Sequence, residues 1–297
     1  MRKSLIIMLL LSVATFVSCS KSKDLREDNP NEKIPISLST SICTKATETN
    51  FESNDRIGLF VVNFNNGVPG KLATAGNHVD NEVFTFNGSS WISSNELYWK
   101  DGVTHADFYC YYPHSNAISD VGAVPFAVCA DQTSMESIKS SDFLWGKTED
   151  AFPSERPVEI TAYHRVSKVV VRIMPGKGYT KEILASKEIQ VSLCGFYTNA
   201  TVNLADGSVT PSGSRSDMSL YRSDDCWYGY VIPQSFTDSN VVKVVLDGNE
   251  YFLKQTVSFG ANKSQECTLT INRIEEGVNI GIGGWDNDGT DFGGTLN

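Results

Sequence analysis

The run VVKVVLDGNEYFLKQTVSF, residues 241–259, decides the fold class. Two apolar, β-branched stretches flank Asp247-Gly248, a dipeptide that tolerates the left-handed backbone of a tight primed turn. The run therefore reads as a β-hairpin. Working outward, the same pattern recurs. CWYGYVIPQ (226–234) is an aromatic strand ended near Pro233, and CTLTINRI (267–274) is another strand. EIQVSLCGFY (188–197) and ATVNLADG (200–207) suggest a second hairpin, and PSGSRSDMS (211–219) reads as a Ser/Gly-rich loop. VEITAYHRVSKVVVRIM (158–174) gives two strands or one bent one, ending at Pro175-Gly176.

Further upstream lie HADFYCYYP (105–113), WISSNELYWK (91–100), EVFTFNG (82–88) and RIGLFVVNF (56–64), each strand-like and bounded by turn residues. Helical periodicity is scarce. YTKEILASK (179–187) makes two turns, and SMESIKSSDFLWG (134–146) allows one. Short strands separated by turns at intervals of about ten residues predict an all-β chain of sandwich domains. Continuity is weakest near residues 150–166, so two domains are expected, 34–163 and 164–297.

The N-terminus specifies an address. Arg2 and Lys3 precede the apolar run LIIMLLLSVATFV (5–17), then FVSC ends at Cys19. A basic start, a short apolar core and small residues before a cleavage point make an export signal over 1–18. Its core falls well short of the roughly 20 residues that span a bilayer. Cys19 directly after Ser18 reads as a lipidated mature N-terminus at the outer membrane, with ordinary cleavage as the alternative. Residues 19–33 form a charged linker. IPISLSTSI (34–42) then alternates, with Ile34, Ile36, Leu38 and Ile42 on one face; Pro35 places this strand at an edge or at its own start. CTKATETNFESND (43–55) is a polar loop containing Lys45-Ala46.

Charge excludes several partners. The formal net charge is −10, and loss of Arg2 and Lys3 with the leader, two positive charges, makes it −12. Such a chain has no electrostatic attraction for nucleic acid. Beyond Cys19 stand Cys43, Cys110, Cys129, Cys194, Cys226 and Cys267. Six cysteines in an exported chain permit three bridges, but none forms a CxxC pair, and a domain this large needs no staples. Free, buried thiols are expected.

Catalytic patterns are missing. His78, His105, His114 and His164 make no HExxH, no GxSxG elbow appears, and GKGYTK (176–181) is an incomplete phosphate loop. His164, at a strand start, reads as structural. DNDGTD (286–291) resembles the start of a calcium loop without its downstream Glu and reads as a solvated turn. No metal, cofactor or catalytic residue is expected. Trp91, Trp99, Trp145, Trp227 and Trp285 could include a sugar-stacking platform, which leaves a monomeric glycan-binding surface lipoprotein as the alternative function. The tail GVNIGIGGWDNDGTDFGGTLN (277–297) alternates Val278, Ile280 and Ile282 with Asn279, Gly281 and Gly283. It is either a frayed last strand or a strand meant for another molecule.

In combination these features resemble the fimbrillin-like proteins of Bacteroidetes, which build protease-matured pili. The resemblance rests on FVSC, Thr44-Lys45-Ala46, FESNDRIGLFVV (51–62), WISSNELYWKDGVTHADFYCYYP (91–113), SDFLWG (141–146), YHRVSKVVVRI (163–173), PGKGYT (175–180) and NIGIGGW (279–285). It implies two tandem transthyretin-like β-sandwich domains with few short helices, in a fimbrial subunit of shaft or tip. It further implies assembly by strand exchange: a trypsin-like protease cuts at Lys45-Ala46, where the family usually carries Arg. The strand of Ile34, Ile36 and Leu38 then leaves. A C-terminal strand of the next subunit, with Val278, Ile280 and Ile282, takes its groove. Partners would be other fimbrial subunits, the outer membrane through the lipid, the protease, and a host or bacterial surface ligand.

Overall fold

The computed structural model describes residues 33–43, 50–274 and 277–286. The first half supplies β1 (Leu38–Cys43), β2 (Arg56–Asn63), β3 (Val79–Phe86), β4 (Trp91–Ser93), β5 (Ala106–Tyr112), β6 (Val124–Ala127), α1 (Met135–Ser140), β7 (Leu144–Ala151) and β8 (Val158–His164). All but β6 join a seven-stranded sheet in the order β1-β8-β7-β5-β2-β3-β4. Its pairings are antiparallel except the outermost one, where β1 runs parallel to β8.

The sheet has two buried faces. Ile57, Leu59, Phe108 and Cys110 point inward with Phe84, Trp91 and Trp99. Phe60, Val62, Tyr109 and Tyr111 point the other way, against Leu72, Val121, Phe143, Val202 and Leu204. Burial on both faces explains why RIGLFVVN is apolar throughout instead of alternating.

The second half supplies β9 (Ser167–Pro175), α2 (Lys181–Ala185), β10 (Ile189–Val202), β11 (Val209–Ser219), β12 (Tyr221–Ser223), β13 (Cys226–Val231), β14 (Gln234–Leu246), β15 (Asn249–Phe259), β16 (Lys263–Ile274) and β17 (Gly277–Asp286). They form two five-stranded sheets, β11-β10-β14-β15 with β6 added to β10, and β12-β13-β9-β16-β17. One core lies between them, built from Val191, Leu193, Phe196 and Val244 of the first and Val169, Val171, Leu269 and Ile271 of the second. Residues 124–127 thus lie in the 34–163 segment by sequence but pair with β10 in the second half.

Several expectations are corrected. Residues 188–207 are not a hairpin: β10 runs unbroken from Ile189 to Val202. Its Cys194-Gly195 step is a bulge, with Gly195 at φ +65 and a register shift between Leu193 and Phe196. A glycine there relieves strain without reversing the chain. Residues 211–219 are not a loop. They belong to β11, an edge strand whose ladder uses backbone groups alone, so exposed serines cost it little, while Met218 is buried. The Asp247-Gly248 turn stands, with both residues at positive φ and Leu246 opposite Asn249. Among the expected buried thiols, Cys110 and Cys267 are buried, whereas Cys129, Cys194 and Cys226 are half-buried; all five are free.

Candidate functional site

Residues 34–43 occupy a seam. The alternation expected for one strand is divided between two partners. Leu38–Cys43 pair with Val158–Tyr163 in parallel register. Residues 34–36 instead pair with the segment after β4: Ile36 N donates to Leu97 O at 2.8 Å, and Trp99 N donates to Ile34 O at 2.9 Å. Pro35, opposite Tyr98, lacks a donor, so these two bonds belong to its neighbours. Val158 N reaches Ser37 O at 2.8 Å, where the strand passes from one partner to the other.

The two edges of the seven-stranded sheet therefore meet at one segment. β8 lies on one side of it, and the β4 edge lies on the other. Trp91 of β4 confirms the closure, since its Nε1 donates to Thr40 Oγ1 at 2.7 Å. Ile34, Ile36 and Leu38 are 3%, 8% and 6% exposed and pack into the core of Ile57, Phe84, Trp99 and Ile160. Burial of three such side chains stabilises the fold by roughly 5–8 kcal/mol before ordering costs. Ile42, expected on the same face, is only half-buried. It opens onto a cleft of about 510 Å³ that Asn50, Phe51, Tyr112, Tyr228 and Tyr230 also line. Described residues on both sides of 44–49 thus meet this cleft. Glu52 is ion-paired to Lys139 of α1.

The other expected sites fall as follows. Cys19, Lys45 and Ala46 lie outside the described residues. Val278, Ile280 and Ile282 stand in β17, whose backbone pairs antiparallel with β16 of its own chain, opposite Arg273, Ile271 and Leu269. Asp286 ends that strand, and the rest of DNDGTD lies outside the described residues. His164 is held by Asp142, Nδ1 to Oδ1 at 2.7 Å, and stacks on Tyr230. No group of ligating side chains that could hold a metal ion occurs among the described residues. Trp91, Trp99 and Trp227 are buried, and Trp145 is half-buried with its Nε1 bonded to Leu204 O at 2.8 Å. None of these four offers the exposed sugar platform considered above.

Sequence reasoning missed Gln132. It is fully buried, and its carboxamide accepts from Tyr230 N at 2.8 Å and donates to Tyr230 O at 2.7 Å, standing in for a strand beside β13. It comes from the 128–134 segment of the first half. Only an apolar neighbourhood around a lone amide could have signalled it, and the local sequence ADQTS is polar.

The described residues thus form an all-β chain whose opening strand is stitched separately to two edges. A fimbrillin-like family model matches residues 44–285, and the chain belongs to that family. Membership makes it a fimbrial subunit, a structural protein of a cell-surface fimbrium. A Bacteroides ovatus protein provisionally named fimbrium tip subunit Fim1C is 27% identical over 138 residues, 42% of this chain. That match covers 24% of the relative, so the chain spans about a quarter of its length. Among solved structures, a Bacteroides uniformis protein provisionally described as a cell adhesion protein superposes with a TM-score of 0.65 at 18% identity, covering 86% of this chain and 97% of its own. The tip fimbrial protein Mfa3 of Porphyromonas gingivalis, determined with a C-terminal truncation, gives 0.51 at 11% identity, covering 78% and 94%. These likenesses establish the fold.

Proposed function

We propose that this fimbrial subunit is exported as a lipoprotein on Cys19 and assembles by exchange of its opening strand. One observation carries the reading: residues 34–43 close a sheet by bridging its two edges, and the polar sequence TKATET with Lys45 follows directly after them. Cleavage between Lys45 and Ala46 would fall beyond Cys43, the last residue of β1. Departure of the segment would leave the Val158–Tyr163 backbone edge and the Leu97 and Trp99 backbone groups unpaired, beside an apolar groove. An exposed edge of this kind templates pairing with another chain. A donor strand restores the ladder while alternate side chains fill the pockets.

The donor on this reading is β17 of a neighbour, with Val278, Ile280 and Ile282 in the places of Ile34, Ile36 and Leu38. Among the described residues β17 is an edge strand, paired with β16 on one side, which favours its transfer. Since it pairs with β16 in its own chain, donation exchanges one ladder for another. The division of the chain near His164, where the seven-stranded sheet ends, would give each half a role, acceptor and donor. The subunit has no chemistry of its own on this account. Its remaining partners are the outer membrane, the maturation protease and a surface ligand.

Limited trypsin treatment of the purified precursor tests this. The expected result is one early nick with Ala46 as the new N-terminus, followed by SDS-resistant ladders. Chains lacking residues 278–297 should be nicked but fail to polymerise. Ladders from that deletion, or a nicked chain that stays monomeric, would overturn the proposal.

A further inference from the structure

A second pocket lies on the face of the seven-stranded sheet that carries Tyr109, at the Ala106–Ala151 end opposite Tyr112 and Leu144. It measures about 380 Å³ and is lined by Phe64, Gly70, Asp107, Tyr109, Lys147 and Asp150, among others. Asp107 is only 2% exposed. Its Oδ1 accepts from Asp150 N at 2.9 Å, and its Oδ2 lies 3.2 Å from Lys147 Nζ. That ammonium also lies 4.8 Å from the centre of the Tyr109 ring and 2.6 Å from Glu149 Oε1. Phe64, in that lining, begins a row of rings: its centre lies 6.0 Å from that of His105, which in turn lies 5.0 Å from that of Phe152. Asp150 Oδ1 fixes the middle ring through His105 Nδ1 at 2.6 Å, and Phe152 is 51% exposed.

We propose that this pocket and the row of rings that begins at Phe64 bind a neutral sugar residue of a surface glycan. A sugar presents an apolar C–H face and neighbouring hydroxyls. The first suits an exposed aromatic ring, and the second suit carboxylates with a phenol and an ammonium between them. The volume falls within the range of small-ligand sites, roughly 300–1,000 Å³. Other ligand classes fit less well. Asp107, Glu149 and Asp150 on a chain of net charge −10 disfavour sulfated or sialylated sugars and nucleic acid. Lys147 already occupies the place among the carboxylates that a cation would take. β5 is paired with β2 on one side and with β7 on the other, so it offers no strand edge to an extended peptide. This site requires no strand exchange and stands independently of it.

The test is an array of neutral, sialylated and sulfated glycans probed with the purified full chain. Titration with the free form of any retained neutral oligosaccharide follows. Phe152→Ala should weaken binding about tenfold while the protein stays folded, a loss that corresponds to one stacking face. Glu149→Gln should weaken it as well. Phe252→Ala, which removes an exposed aromatic ring on β15, should leave binding unchanged. Retention of no neutral glycan, selective retention of the acidic ones, indifference to Phe152→Ala, or equal loss in Phe252→Ala would each overturn the assignment.

Discussion

The indole Nε1 of Trp91 donates to the hydroxyl of Thr40 at 2.7 Å, joining the β4 edge of the seven-stranded sheet to the strand that pairs with β8, its other edge. A side-chain bond thus marks where a sheet closes on itself through a segment that enters from the N-terminus. Thr40→Val keeps the shape but removes the acceptor. The expected loss is about 1 kcal/mol, read from urea denaturation, because a part-buried donor is left without its bond. Ser39→Val, on the exposed side of the same strand, should change stability by less than about 0.5 kcal/mol.

Leu38 is the first residue of β1 and is buried among the inner-face residues. Leu38→Ala should cost about 2–5 kcal/mol, the usual range for a core leucine. Its effect on assembly should be opposite in sign to its effect on the precursor, since a weaker placeholder leaves its groove more readily. Faster ladder formation after trypsin treatment, measured against the wild type, checks this.

Gln132 anchors the 128–134 segment to β13 through two bonds to Tyr230, and a third bond, to Cys129 O, holds it within its own segment. Gln132→Leu buries similar volume but removes both bonds to the Tyr230 backbone. A loss of roughly 2–4 kcal/mol is expected in thermal or urea unfolding. Gly229 should be equally intolerant, because a Cβ there would lie 2.7 Å from Leu220 Cδ2 and 2.9 Å from Gln132 Oε1.

Burial pushes the Cys110 and Cys267 thiols up to about 12, and pushes the Tyr111 phenol up to about 12 against its hydrogen bonds from Ser115 N and to Asn81. These groups hold their protons more tightly when folded than when unfolded. Below about pH 9 the thiols are protonated in both states and contribute no pH dependence. As pH rises from there toward 12 the unfolded chain ionises first, so stability falls. The urea midpoint should be lower at pH 10.5 than at pH 8. In native protein at pH 8, iodoacetamide should leave Cys110 and Cys267 unmodified, and in urea it should label both.

Much of this architecture was legible locally. Asp247-Gly248 announced its hairpin, because positive φ at two successive positions is a property of the residues themselves. The alternation of Ile34, Ile36 and Leu38 predicted which side chains would be buried. The serines of 211–219 misled because edge-strand pairing draws on backbone groups that every residue carries. Asp107, Tyr109, Lys147 and Glu149 come from two strands, and no spacing within either stretch brings them to one pocket.

By itself, the sequence determined the strands' periodicity, the turns, the acidic charge and the family, since each depends on neighbours in the chain or on composition. Tertiary structure alone decided that the opening segment would divide its backbone between β8 and the Leu97–Trp99 segment, and that β8 would receive it in parallel. A strand's own residues specify which face it buries. The edge that supplies its hydrogen bonds depends on how distant segments curl around a shared core.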